Sequence, residues 1–568
     1  MAEVKKEQQK LDRILNNKLS VIPLRLIDTT SGKLCSVWEL GPLFEQSKGY
    51  KNITAKISSP LESDIEMAVD QFFSYAMFSH RWGADADEPT YQHIKDVASI
   101  YHLNAPPGIL KLQQFCRIAC ENHFQWAWSD TCCIDKSNNV ELQESIISMF
   151  SWYRLSSTTI VYLADVMDEG SFRQSDWFTR GWTLQELIAP RLIWFYKKDW
   201  TPYIDSKMNH KGEDQVADII SEITSIDRKV LNDFVPGLRQ LGPGEVKKRM
   251  TWLALRRTTK MEDMAYCMMG TSRHFVRPGE CLKFLFTGIF GIHMPIMYGE
   301  KNHAFARLQK EIMNITDDVS LFDWVGEPSD LHSYFASHPR CFTRLPADYK
   351  SRLKKKPDLR LFTEPFKGLS DALKDTAIQS AKNILLDPPH GYFIANGRMN
   401  MRLFVHEVKK LTHVETTYLP TADDRLSVYK VVAEDLAEIT VSTRSLLPPL
   451  SCDRDSPSYR LVRMWEVSLI PQDKAGGGGS EEHYDVLRID GLSPNFPSKP
   501  KGLWSGPLDT VMEVLTFLSR LQEPFIAQLL VQKRPGMPYE RVGTEERLIA
   551  QPYSGSFNLR GMKTVIVR

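Results

Sequence analysis

Residues 158–196, TTIVYLADVMDEGSFRQSDWFTRGWTLQELIAPRLIWFY, decide how the N-terminal part of this chain folds. Two apolar runs, Thr158–Val166 and Arg191–Tyr196, flank a segment of mixed polarity, Gln174–Pro190. Near-continuous apolar runs suit strands of a parallel sheet, because both of their faces are covered. The segment between them predicts a helix, and so a strand–helix–strand unit with parallel strands. Within that helix Trp182 and Glu186 stand four residues apart and share one face. The residue types leave two readings of the pair. Either a carboxylate sits beside an aromatic at the end of a buried strand, as in a reaction centre, or Trp182 is core and Glu186 is solvated.

Upstream, Tyr75–Phe78 is a short apolar strand candidate that runs into the polar, aromatic loop SHRWGADADEPT (79–90). Gly108–Cys120 predicts a helix with Leu112, Phe115, Cys116 and Ala119 on one stripe. QWAWSDTCCIDK (125–136) predicts a strand ending in acidic and thiol residues. Asn138–Tyr153 predicts an amphipathic helix, since Leu142, Ile146, Met149, Phe150 and Tyr153 recur at helical spacing. Ile22–Ile27 and Leu34–Val37 flank the turn-like TTSGK and predict a small hairpin, behind a polar leading helix. Strands alternating with helices favour an open, doubly wound α/β domain. Such domains place their ligand crevice outside the carboxyl ends of the strands. SHRWGADAD, DTCCIDK and ADVMDEGSFRQSDW collect on that edge.

Beyond residue 200 the pattern turns helical (VADIISEI, PGEVKKRMTWLALRR, HAFARLQKEIMNI). From about residue 340 short β-type runs take over, including GYFIANGRMNMRLFVHEV, RLSVYKVVAED, YRLVRMWEVSLI and GMKTVIVR. The GGGGS run at 476–480 has the composition of an engineered linker standing in place of a loop. A length of 568 residues implies several cores. With 42% hydrophobic and 25% charged residues the composition is globular, and a net charge of +1 gives no reason to expect nucleic acid or an anionic membrane as a general partner. No apolar run approaches about 20 residues, and the charged start lacks the apolar core of a signal peptide. Nine irregularly spaced cysteines fit a reducing, cytoplasmic setting.

Several chemistries lack their motif: no G-x4-G-K-[ST], no G-x-G-x-x-G after a strand, and no CxxC pair to hold a metal. Cys116 and Cys120, at helical spacing, predict core packing. Cys132 and Cys133 predict buried thiols, with nearby carboxylates disfavouring a thiolate.

Three blocks resemble the heterokaryon incompatibility (HET) domain of filamentous fungi: YAMFSHRWG (75–83), WSDTCCIDKSNNVELQESIISMFSWYRLSSTTIVYL (128–163) and WFTRGWTLQEL (177–187). Their order and spacing agree with that family. Cys-Ile-Asp-Lys stands where the family usually has Cys-Ile-Asn-Gln. A later stretch, 261–324, is similar to the region that often follows the HET domain, interrupted at Thr271–Gly288 by TSRHFVRPGECLKFLFTG. The pattern predicts a 1–21 leading helix and a mainly β domain at 331–568, and the resemblance implies a HET domain at 22–205 followed by a helical region at 206–330. HET domains in turn resemble Toll/interleukin-receptor (TIR) domains, to whose first-strand loop FSHRWG (78–83) is similar and to whose glutamate-bearing segment 175–187 is similar.

The resemblance therefore implies a TIR-like, flavodoxin-like parallel-sheet domain, fungal non-self recognition and programmed cell death. It further implies NAD+ as substrate of a glycohydrolase with Glu186 as catalytic residue. Ser79, His80, Arg81, Trp82, Gly83, Asp130 and Trp182 are the expected substrate contacts. Among these, Arg81 would meet the pyrophosphate, and Trp82 or Trp182 would stack on a base. No prosthetic group or metal is expected. Self-association is the expected route to activity, with a protein partner or ligand sensed by the C-terminal region. The alternative is a non-catalytic scaffold that acts through partners alone.

Overall fold

Four of the predicted apolar runs form the parallel centre of one mixed sheet. The computed structural model of the chain describes residues 2–55, 62–83, 87–104, 106–237, 244–270, 272–273, 285–286, 288–316, 318–342, 392–395, 398–418, 425–450, 456–463, 524–553 and 562–567. They divide into two compact units, 1–241 with 248–316, and 242–247 with 317–568.

The first unit opens with α1 (Ala2–Leu19), the hairpin β1 (Arg25–Asp28) and β2 (Leu34–Ser36), and helices α2 (Val37–Gln46), α3 (Lys48–Ala55) and α4 (Glu62–Phe72). Then come β3 (Tyr75–His80), α5 (Tyr91–Ile94), α6 (Pro107–Glu121), β4 (Trp126–Trp128), α7 (Asn139–Leu155) and β5 (Thr158–Tyr162). They are followed by α8 (Glu169–Arg173), α9 (Thr183–Ile188) and β6 (Ile193–Tyr196). The spatial order is β2-β1-β4-β3-β5-β6. β4, β3, β5 and β6 run parallel, whereas β1 is antiparallel to both β2 and β4. The sheet is thus mixed: the predicted hairpin is not free-standing but completes one edge. That covering strand leaves β4 no open backbone on its outer side.

Among the parallel strands the order is second, first, third, fourth, so the chain reverses direction across the sheet between β3 and β5. A doubly wound sheet binds ligands at such a reversal, outside the carboxyl ends. Every residue of β3 is buried. Its side chains alternate between faces. Phe78 stacks on Phe115 of α6, with ring centres 4.4 Å apart, while the Tyr75 hydroxyl donates to Trp152 O of α7 at 2.7 Å. Helices therefore cover both faces. Asn138 Oδ1 accepts from Val140 N and Glu141 N and so caps the start of α7.

Two predicted elements are shorter than expected. β5 ends at Tyr162, because Val166 N turns back onto Leu163 O at 3.2 Å. The segment 174–190 is a 3-10 turn, Asp176–Thr179, followed by α9, with a break at Gly181. A Cβ on Gly181 would lie 2.4 Å from Thr258 Cγ2, so the break is where another chain segment crosses closely.

The same unit continues with α10 (Asp214–Thr224), α11 (Arg228–Asn232), α12 (Glu245–Ala254) from residue 248 onward, α13 (Asp263–Tyr266), a short pair β7 (Ser272–Arg273) and β8 (Leu285–Phe286), and α14 (His303–Ile315). Phe305, Leu308 and Ile312 of α14 are buried, as their spacing predicts. Gly270 and Gly288, the ends of the interruption, lie so close that a Cβ on Gly288 would sit 2.6 Å from Gly270 N.

The second unit is an antiparallel sheet. Its 21-residue strand β10 (Arg398–Tyr418) pairs along different stretches with β9 (Tyr392–Ala395), β11 (Arg425–Ala433), β13 (Ser458–Arg463) and β15 (Met562–Val567). β12 (Ile439–Thr443) extends it beyond β11, and β14 (Phe525–Gln532) extends it beyond β13. Val431, Leu461, Leu529 and Val441 lie in its buried core. The GGGGS run lies outside the described residues.

Candidate functional site

Ser79 and His80 are neighbours at the carboxyl end of β3, so they point to opposite faces of the sheet. Ser79 goes to the α9 side, where its hydroxyl donates to Glu186 Oε2. The Trp177 indole N–H donates to Ser79 Oγ at 2.8 Å. An indole nitrogen can only donate, so the single serine proton is left for Glu186. In the ionised acid Oε2 is therefore an acceptor, and among the described residues Oε1 carries no hydrogen bond.

Glu186 is 8% exposed, in the first turn of a six-residue helix. Burial raises its pKa, and Asp130 at the end of β4 adds to the rise. The Ser79 hydrogen bond and the cations Arg180 and Arg256 act against it, and the group settles at about 8. A buried carboxyl held between one like charge and two opposite charges can switch ionisation with a modest change in its surroundings.

Two features hold α9 in place. Thr183 Oγ1, in its first turn, donates to Trp177 O at 2.6 Å. At the far end, buried Lys211 donates from Nζ to Leu187 O at 2.9 Å and Pro190 O at 2.6 Å, filling orphan carbonyls of the last turn. Gln185, beside Glu186, donates to Cys267 O at 2.7 Å. Ahead of α9, Asp165 accepts from Ser175 Oγ at 2.7 Å and from Asp176 N at 2.8 Å.

His80 belongs to the other face. It stacks on Phe78, and its Nε2 lies 3.4 Å from Glu88 Oε2. Glu88 Oε1 accepts from Gly83 N at 2.6 Å and from Lys111 Nζ at 2.5 Å. Burial would raise the Glu88 pKa, but His80, Gly83 N–H and Lys111 outweigh it and hold Glu88 at about 2. Burial also lowers the pKa of His80, against the pull of Glu88. His80 and Gly83 thus fasten the loop after β3, with His80 on the side away from Glu186.

Arg81 is exposed and pairs with Asp176 at 2.6 Å, which Arg257 also reaches at 3.0 Å. The Trp82 indole donates to Asp130 Oδ2 at 2.9 Å, and Lys136 Nζ lies 3.8 Å from the centre of its ring. Asp130 therefore links Trp82 to the Glu186 group. Trp182 does not join them: its indole is hydrogen-bonded to Asp263. The aromatic beside Glu186 is Trp177, connected through Ser79.

The structure thus brings together Ser79, Glu186, Asp130 and Trp82, leaves Arg81 at the surface, and directs His80, Gly83 and Trp182 elsewhere. Sequence reasoning missed Trp177, Thr183, Arg180, Arg256 and Arg257. The last two arginines carry no local signal, since their place follows from a crossing some 70 residues further along the chain. Cys132 and Cys133 are buried, and burial, before any neighbouring charge, holds the Cys133 thiol well above its ordinary pKa. Among the described residues no set of His, Cys, Asp and Glu is arranged to hold a metal ion, and no helix is long and apolar enough to cross a membrane. A separate cavity of about 540 Å³ lies between α1, α2 and α7, lined by Leu15, Leu19, Val37 and Trp152 among others, with no member of the Glu186 group.

A doubly wound parallel centre with a buried acid at its reversal point accompanies a specific family match. Residues 75–173 match the family described as heterokaryon incompatibility protein (HET). Over 261 residues it is 35% identical to the vegetative incompatibility protein HET-E-1 of Podospora anserina. That alignment covers 44% of this chain and 17% of the relative, so the chain spans about a sixth of that protein's length. No solved structure matches the chain. The family match ends at Arg173, before Glu186.

Proposed function

We propose that this chain acts in fungal non-self recognition leading to cell death, and that its first unit is a TIR-like NAD glycohydrolase centred on Glu186. The relative's role in vegetative incompatibility supports the first part. One observation carries the second: a buried glutamate, oriented by Ser79 and Trp177, at the reversal point of the parallel strands.

In the reaction the bond between nicotinamide nitrogen and ribose C1′ breaks, and its electron pair leaves with neutral nicotinamide. Water adds to the oxocarbenium-like carbon and loses a proton, giving ADP-ribose. The leaving group needs no protonation, so one carboxylate suffices where a glycosidase uses two. Glu186 accepts hydrogen bonds from ribose hydroxyls through Oε1 and stabilises the developing positive charge. Ser79 keeps Oε2 engaged, so the free oxygen faces one way. With a pKa of about 8, roughly a tenth of the sites are ionised at pH 7. The cationic nicotinamide ring of a bound substrate favours the charged form and raises that fraction.

A scaffold without catalysis is the second reading. Trp38, 86% exposed at the rim of the α1–α2–α7 cavity, favours it, because an exposed indole beside an apolar hollow suits contact with a second copy of the chain. Expression of wild type and Glu186→Gln in fungal cells separates the two. Loss of both NAD depletion and killing in the variant supports the enzyme; killing that survives without Glu186 supports the scaffold.

A further inference from the structure

Arg256 lies outside the stretch matched to the HET family, in the segment after α12. It is 1% exposed. Nε donates to Trp252 O at 3.1 Å, and NH1 donates to both Arg180 O at 2.8 Å and Thr183 Oγ1 at 2.9 Å. NH2 is buried and has no hydrogen-bond partner among the described residues. A buried guanidinium with an idle edge is costly in a structure unless an opposite charge faces it.

The acidic groups that act on Arg256 are Cys267 and, when it is ionised, Glu186. The groups facing this carboxyl are Asp130 from β4, Arg180 from the preceding turn, buried Tyr153 from α7, and Arg256. Arg256 also joins the structural chain that ends on Glu186. It donates to Thr183, Thr183 donates to Trp177 O, the Trp177 indole donates to Ser79, and Ser79 donates to Glu186. The crossing is fixed next door, where Arg257 N donates to Thr179 O at 2.7 Å and Gly181 N donates to Arg257 O at 2.9 Å. Gly181 is the residue on which Thr258 closes so tightly that no side chain fits.

We propose that Arg256 is a positioning residue of the Glu186 site: through Arg180 O and Thr183 Oγ1 it braces the turn that carries the carboxyl, and its buried charge favours the ionised acid. The site is then complete only with the segment that follows the HET match. Catalytic relevance rests on the reading of Glu186 as the reaction centre; the charge coupling does not.

The test is the titration of Glu186 in the full chain, followed by infrared spectroscopy of its carboxyl band, identified by its absence in Glu186→Gln. Removing the cation in Arg256→Gln is expected to move the midpoint up by about one pH unit, whereas Arg256→Lys keeps most of the wild-type value. A merely structural arginine would lower stability in both variants without separating their midpoints. An unchanged midpoint in folded Arg256→Gln overturns the proposal. If that variant does not fold alone, it is combined with Glu186→Gln, which removes the uncompensated carboxylate. A double variant that folds at pH 9 supports the charge coupling, and one that still fails to fold overturns it. NAD turnover is measured in parallel. Absent turnover with a shifted midpoint refutes the enzyme reading and leaves the coupling standing; turnover with an unshifted midpoint does the reverse.

Discussion

Glu186 is expected to cost folding stability in a defined pH window. Its ordinary pKa is 4.5 and its folded value is about 8, so the folded state binds the proton more tightly than the unfolded chain does. Any benefit is fully present below pH 4.5, is lost as pH rises through about 8, and stays lost above that. Glu186→Gln, which keeps an acceptor for Ser79, removes the charging cost. Urea unfolding at pH 9 is expected to show the variant stabilised by a few kcal/mol relative to wild type, with the difference vanishing near pH 4.5. Equal pH dependence in both proteins would contradict the buried, raised carboxyl. Ser79→Ala acts in the opposite direction. It strands the Trp177 indole, at about 1–3 kcal/mol, and removes a hydrogen bond that favours the ionised acid. Its turnover midpoint should lie above that of wild type; a lower midpoint would show that Ser79 does not donate to Glu186.

At the scale of elements, α9 is short and depends on its ends. Lys211 bonds the last carbonyls from a fully buried position. Lys211→Met is expected to lower stability by about 1–3 kcal/mol, read by urea unfolding, and to reduce turnover more than its stability loss explains. A neutral effect on both would mean that α9 is held by packing alone. The predicted helix over 174–190 was legible as a helical segment but not as two pieces, because the cause of the break is distant. Nothing in GWTL reveals that Thr258 will press on Gly181. The same limit applies to Trp182. Spacing puts it on the Glu186 face, yet its indole finds Asp263, 81 residues downstream, as its polar partner. Trp177 was visible as an aromatic in the same stretch, but its role required knowing that Ser79 stands opposite. The interruption 271–288 is a further element-scale case. Its ends meet at Gly270 and Gly288, so a chain lacking 271–287 is expected to retain its fold and its melting temperature within a few degrees. Collapse of that variant would show that the interruption supports the core.

For the whole molecule, alternation of apolar runs with amphipathic helices made the parallel centre of the first unit readable, since β3, β4, β5 and β6 each carry buried runs. The antiparallel edge was not readable. IPLRLI pairs within its own hairpin whether or not it also joins β4, and no side-chain pattern separates the two. In the second unit the β-rich composition was evident, but not that one strand, β10, would serve four partners. Activation by self-association is a proposal at this scale. Diluting the protein while recording mass and nicotinamide release should show activity falling as the assembly dissociates, with Trp38→Ala shifting the transition to higher concentration. Full activity in a dilute monomer would exclude this route.

Release of nicotinamide from NAD+ by the purified full chain, compared with Glu186→Gln from pH 6 to 9, tests the proposed activity most directly. The expected result is turnover in wild type alone, with kcat/KM rising to a plateau around a midpoint near 8 and kcat rising at lower pH, because the bound cationic ring helps ionise the acid. Equal release by both proteins across that range, at concentrations where the chain self-associates, would contradict it.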